Sequence, residues 1–132
     1  MTMPFYKPIR SFVKRQGRLS VRQRRGLVDA WPKYGLNISD GLLDYQLIFP
    51  ECSEIVLEIG FGMGDTLLET AVKNPNRAYI GAEVHEPGIG SLLAGASEHD
   101  LSNIRVYKED VCAVMKSCLP KKSLDYLHNP VS

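Results

Sequence analysis

No apolar run in the chain approaches the roughly 18 residues that would cross a bilayer. Met1 to Leu27 also lacks the apolar core of a secretory signal. A cytoplasmic protein without membrane contact is therefore expected. Cysteine is scarce: Cys52, Cys112 and Cys118 are odd in number and stand at no metal-ligand spacing. That excludes a disulfide scaffold, predicts no metal site and suits a reducing compartment. Internal repeats and low-complexity tracts are absent as well. With 44% hydrophobic and 23% charged residues, the 132-residue chain has the balance of one globular domain. A domain of this size buries roughly 68% of the surface its unfolded chain exposes.

Acidic residues are missing from the first 25 positions, which hold eight basic ones (Lys7, Arg10, Lys14, Arg15, Arg18, Arg22, Arg24 and Arg25). The rest of the chain sets eight basic residues against fifteen acidic ones, so a formal net charge of +1 hides a basic arm on an acidic body. Such asymmetry points to a polyanionic partner for the arm, nucleic acid before others. A solvated tail and an Arg-rich transit segment remain open readings. Pro4 and Pro8 argue against the second by breaking any early amphipathic helix.

Ser20-Val-Arg-Gln23 has capping-box spacing and predicts a short helix to about Trp31, ended by Pro32. Residues 33–50 mix turn formers with apolar residues and read as an irregular segment laid on the core. From Glu54 onward, short apolar runs alternate with helix-length stretches, the pattern of a parallel sheet covered by helices. Four strands are expected at Ile55 to Ile59, Ala78 to Val84, Ile104 to Tyr107 and Leu124 to Leu127. Helices are expected at Asp65 to Lys73, Pro87 to Glu98 and Val111 to Cys118, the first opened by a second capping-box spacing at Thr66 to Glu69. The domain division is thus a flexible basic arm over 1–25, a connecting helix and irregular segment over 26–53, and an α/β unit over 54–132.

Glu58-Ile-Gly60-Phe-Gly62-Met-Gly64 falls where the first of these strands meets a helix, a position at which glycine lets a ligand approach the backbone. Glu83, 21 residues beyond Gly62 and at the end of the next strand, is placed to accept hydrogen bonds from ribose hydroxyls. A pyrophosphate at this helix start would be repelled by Glu58 and Asp65, and Asp65 stands where a dinucleotide fingerprint wants glycine. S-adenosylmethionine has no phosphate and carries a sulfonium and an ammonium, so carboxylates suit it. Glu109-Asp110-Val111 offers an acid and a backbone amide to an adenine edge, although an acid in that position also serves as an ordinary N-cap.

These segments resemble the amino-terminal part of a bacterial tRNA (guanine-N7)-methyltransferase. The resemblance runs from Arg10-Ser-Phe-Val-Lys-Arg-Gln-Gly-Arg18 through Trp31-Pro32, Leu43-Asp-Tyr45 and Leu57-Glu-Ile-Gly-Phe-Gly-Met-Gly64. It continues with Gly81-Ala-Glu-Val-His-Glu-Pro-Gly-Ile-Gly90 and Leu101-Ser-Asn-Ile-Arg-Val106. It implies a Rossmann-like class I methyltransferase fold, here the amino-terminal half of a doubly wound parallel sheet, with S-adenosyl-L-methionine as cofactor and tRNA as partner. By that resemblance Glu58, Glu83 and Asp110 hold the donor, and Gly60, Gly62 and the backbone at Val84 and Val111 shape its pocket. Arg10, Lys14, Arg15 and Arg18 are the candidates for RNA contact. His85 has a minor orienting role at best, and Met63 fills a pocket wall.

The likeness breaks after Leu127. The family continues into a Phe-Pro-Asp-Pro-Trp-His segment and a basic stretch that supply the guanine-facing carboxylate and much of the tRNA contact. Here the chain reads His128-Asn-Pro-Val-Ser132. The expectation is a truncated or frame-shifted copy that retains no catalytic residue and is weak or inactive. Guanine N7 carries a free lone pair and needs no strong base. Catalysis therefore rests on aligning two bound partners, a contribution of about 7 to 11 kcal/mol that a chain with one site forfeits. The alternatives are a donor-binding or RNA-binding half domain without catalysis and, third, a dinucleotide-binding fragment. A sheet cut after its fourth strand is also expected to self-associate through its unpaired edge.

Overall fold

The structure, a computed structural model, describes residues 18–120 and the backbone of a strand at 126–128. Arg10, Lys14 and Arg15 lie outside the described residues. So do Leu124 and Asp125, with which the fourth expected strand was to begin.

The first helix is α1 (Val21–Arg25), and its capping box forms on both sides: Gln23 N–H donates to Ser20 Oγ at 3.0 Å and Ser20 N–H to Gln23 Oε1 at 2.9 Å. The helical path does not stop at Pro32. It widens into a π-helical stretch over Gly26–Ala30 and continues as α2 (Trp31–Tyr34). Pro32 thereby sits in the first turn of a new α segment, where its missing N–H is not needed. The expected boundary after residue 25 falls within this continuous stretch.

Residues 33–50 are more ordered than expected. They contain the two-residue strand β1 (Gly35–Leu36), a 3₁₀ turn at Ile38–Asp40 and α3 (Tyr45–Ile48). There follow β2 (Glu54–Ile59), α4 (Asp65–Lys73), β3 (Arg77–Ala82), α5 (Glu86–Glu98), β4 (Ile104–Tyr107), α6 (Val111–Ser117) and β5 (Tyr126–His128). The second capping box is not formed. Gly64, in the left-handed region at φ 82°, caps α4 without a side chain and starts it at Asp65, so Thr66 is already inside the helix.

The five strands pair in parallel in the order β1-β4-β3-β2-β5. The sheet therefore has five strands rather than the expected four, because β1 joins its edge beside β4. Alternation along the strands builds two cores, as period-2 geometry requires. Val56, Tyr79, Ile104 and Val106 face α4, α5 and the amino-terminal helical stretch. Ile55, Leu57, Ala78, Ile80 and Tyr107 face α6 and the 33–50 segment. This is the two-faced packing of a Rossmann-like half-domain.

Polar groups tie the layers at a few points. Tyr34 Oη reaches the carbonyls of Leu101 at 2.8 Å and Ala96 at 3.1 Å. Arg105 lies on Phe49 at 5.3 Å and, among the described residues, bonds backbone carbonyls alone, and burial lowers its pKa. Asn103 is 3% exposed, and its Nδ2 lies 3.0 Å from the carbonyls of Ala71, Asn74 and Arg77. Replacing it by alanine would remove the side-chain clasp of the α4–β3 turn, although the Ala71 and Asn74 carbonyls keep the N–H groups of Asn74 and Arg77. We expect Asn103→Ala to cost about 1 kcal/mol in urea unfolding, the range for lost hydrogen bonds whose acceptors keep a partner. A change within error would show that water replaces the amide freely.

Candidate functional site

Strand order reverses at β2: β3 and β4 lie on one side of it and β5 on the other. In open α/β sheets ligands bind outside the carboxyl ends of the strands at such a switch point. The glycine loop leaves β2 there. Gly60 N–H still donates to Ala82 O at 2.9 Å, continuing the ladder, and then the chain turns with Gly60, Gly62 and Gly64 at φ 59°, 64° and 82°. Phe61 tucks back over β3, where only Gly81 leaves room: a Cβ there would come within 2.7 Å of the Phe61 ring.

Glu83 organises this loop. Its Oε1 accepts from Gly62 N–H at 2.8 Å, and its Oε2 accepts from Val84 N–H at 2.9 Å and His85 N–H at 3.0 Å. Gly88, in the first turn of α5, meets Gly62 from the other side. A Cβ at Gly88 would lie 1.7 Å from Gly62 O. The Gly62 peptide is thus held at its N–H by a carboxylate and at its carbonyl by a bare α-carbon.

Five of the seven residues expected at the donor site line one cleft of about 280 Å³: Gly60, Glu83, Val84, Asp110 and Val111. Ile59, Ala82 and Glu109 complete its walls. The other two stand beside it. Glu58 is the penultimate residue of β2 and is buried at 7% exposure, while Gly62 reaches the cleft through its bond to Glu83. Asp110 has the N-cap role that its position also allowed, with Oδ1 accepting from Cys112 N–H at 3.1 Å. His85 occupies the N-cap position of α5 without a side-chain capping bond. Met63, between two glycines of positive φ, is 42% exposed and does not line this cleft. Arg18 is exposed just ahead of α1.

The cleft fits a phosphate-free nucleoside donor. A Cβ added at Gly60 or Gly62 would meet nothing within 4 Å, so the loop backbone borders open space. Among the described residues, the ionisable side chains lining the cleft are Glu83, Glu109 and Asp110, with no cation among them. Carboxylates suit hydroxyls and positive charge, whereas they would repel a pyrophosphate. Val84, 57% exposed, adds an apolar lip. Among the described residues no group of histidine, cysteine and acidic side chains could hold a metal ion. No described helix is long and apolar enough to cross a membrane.

Bare glycines and carboxylates gathered at the carboxyl ends of adjacent parallel strands form the candidate site of a Rossmann-like half-domain. The family model described as "Putative methyltransferase" matches residues 53–129, and the chain belongs to that family. It is also similar to proteins named tRNA (guanine-N(7)-)-methyltransferase. It is 46% identical to that of Stutzerimonas stutzeri over 119 residues, which is 90% of this chain and 50% of the relative. With that of Nitrosospira multiformis it shares 49% identity over 123 residues, 93% of this chain and 54% of the relative. The Colwellia psychrerythraea protein is 42% identical over 120 residues, 91% of this chain and 49% of its own length. The chain thus spans about half the length of the curated relatives it matches.

Proposed function

We propose that the chain binds S-adenosylmethionine in the cleft at the ends of β2, β3 and β4, as the donor-binding half of a tRNA guanine-N7 methyltransferase acting in the cytoplasm. The observation that carries this is the convergence of Gly60, Glu83, Val84, Asp110 and Val111 on one cleft, acidic among the described residues, beside a positive-φ glycine loop. Glu83 takes a ribose hydroxyl on the lone pair of Oε1 left beyond its three backbone bonds, and Asp110 and the Val111 amide take the adenine edge. Glu58, buried behind the loop, supplies negative charge toward the positive end of the donor. When bound, S-adenosylmethionine supplies an electrophilic methyl group. This chain's residues orient it and exclude water from one side of it.

Substrate and polymer follow from the relatives' names together with the basic run that ends at Arg25, which supports tRNA phosphate contact by Arg18 and, beyond the described residues, Arg10, Lys14 and Arg15. Methyl transfer to guanine N7 needs the acceptor positioned as well as the donor, and for the 132-residue chain alone we expect N7-methylguanosine formation near background. The outer side of β5 pairs with no described strand, which supports self-association.

Calorimetry tests the donor assignment. S-adenosylmethionine or S-adenosylhomocysteine should bind and NAD should not compete. Glu83→Ala should weaken binding by about 1 to 3 kcal/mol through lost charge-assisted hydrogen bonds. Binding of NAD with none of the sulfur nucleosides would sink the assignment in favour of a dinucleotide fragment.

A further inference from the structure

A second cavity, of about 330 Å³, opens next to the donor cleft, and Glu109 lines both. One side of it is apolar, built by Leu27 and Trp31 of the helical stretch and Leu36 of β1. Asn37, Lys108 and Glu86 supply the polar side. Lys108 Nζ donates to Glu86 Oε2 at 2.7 Å, and the Glu86 side chain is only 11% exposed. Trp31 is braced by Gly35, where a Cβ would come within 2.1 Å of two indole carbons. It is the single tryptophan of the sequence.

The chemistry of the walls selects a ligand class. Two carboxylates against one ammonium disfavour a phosphate inside the cavity. A flat heteroaromatic ring does better, since its N–H donors can meet Glu109 and the Asn37 amide while its faces lie on indole and leucine. A phosphate-binding group stands just outside. Arg24 precedes Leu27 by three residues on the same helical stretch, is exposed, and holds no ion pair with a described residue. At 1.5 Å of rise per residue, Arg24 lies about 4.5 Å along the axis from Leu27, within reach of a neighbouring nucleotide.

We propose that this cavity takes one unpaired nucleobase of a bound RNA, stacked against Trp31 with its edge on Asn37 and Glu109, while Arg24 holds a flanking phosphate. The proposal rests on the RNA part of the functional reading and not on the donor part. It separates a base-reading contact from the sequence-blind charge of the arm, and it puts RNA against the same Glu109 that borders the donor.

Trp31 fluorescence provides the test. The full chain is titrated with a short single-stranded oligoribonucleotide, with the same sequence in a blunt duplex, and with S-adenosylhomocysteine alone. The single strand should quench Trp31, and the duplex should not. Asn37→Ala should weaken single-strand binding by about threefold or more, as the loss of one hydrogen bond to the base edge gives, and leave S-adenosylhomocysteine affinity unchanged. Trp31→Phe, followed by anisotropy of labelled RNA, keeps a ring in the wall and should lose affinity for the single strand only. Equal binding of strand and duplex with a silent Trp31 would overturn the proposal and leave phosphate contact by the arm intact. Quenching by S-adenosylhomocysteine in competition with the strand would overturn it too, by making the cavity an annex of the donor cleft. If no RNA binds while S-adenosylhomocysteine does, the base pocket and the RNA reading fall together and the donor site stands.

Discussion

Gly88→Ala is expected to weaken S-adenosylmethionine binding at least about tenfold, although residue 88 lines no part of the cleft. A methyl group there would stand 1.7 Å from the carbonyl oxygen of Gly62, a backbone atom that no rotamer change can move aside. Overpacking of this kind costs about 1–3 kcal/mol, and something must shift. α5 cannot retreat readily, because it is seated on the amino-terminal helical stretch through Gly26 and Gly90. The glycine loop is the softer partner, and moving it pulls Gly62 N–H off Glu83. Both the loop and the Glu83 carboxylate then lose their set positions, so a strain of about 1.4 kcal/mol already accounts for a tenfold loss. Calorimetry with S-adenosylhomocysteine, paired with a melting curve, reads the two effects separately. Unchanged affinity in a folded Gly88→Ala variant would show that the loop position does not govern the site.

Much of this site was legible in the sequence because its parts are local. A strand, a glycine triplet and an acid at the next strand end can be read along the chain, and helix α4 over Asp65–Lys73 and strand β4 over Ile104–Tyr107 fall where their patterns put them. What the sequence hides is contact between remote backbones. Glycines 88, 90 and 95 look like helix breakers in a propensity reading, yet they lie in the 13-residue α5 because other chain segments press against them. The internal bonds of Glu83 were equally invisible: the acid was read as a ligand for ribose, and it is also the anchor of the loop. β1 escaped notice because two residues carry no periodicity, and its pairing with Val106 and Tyr107 is decided entirely by tertiary placement. Pro32 misled because a π turn ahead of it absorbs the break.

Gly26→Ala provides the clearest measure of how firmly the basic segment is joined to the donor domain. Alanine should favour a helix interior by about 1 kcal/mol over glycine. Against that, a Cβ at residue 26 would lie 2.1 Å from Gly90 O and 2.9 Å from Ala94 N, and one at Gly90 would lie 2.3 Å from Gln23 O. The two helical backbones touch reciprocally, so the added methyl can be housed only by separating them. Separation also loosens Ala30 and Tyr34, both buried in the core against α5. The exposed pairs Arg22–Glu98 at 2.9 Å and Lys33–Asp100 at 3.0 Å contribute too little to hold the segment in place. The packing loss exceeds the propensity gain, and we expect a net destabilisation of about 2 kcal/mol, within the range for overpacked cores. Adding Gly90→Ala should cost much less than its own single-variant value, since the first substitution has already opened the shared contact. Urea unfolding of the two singles and the double closes the cycle. A stabilised Gly26→Ala variant, or strictly additive values, would mean that the helices slide past each other freely and that α1 carries its arginines independently of the donor cleft.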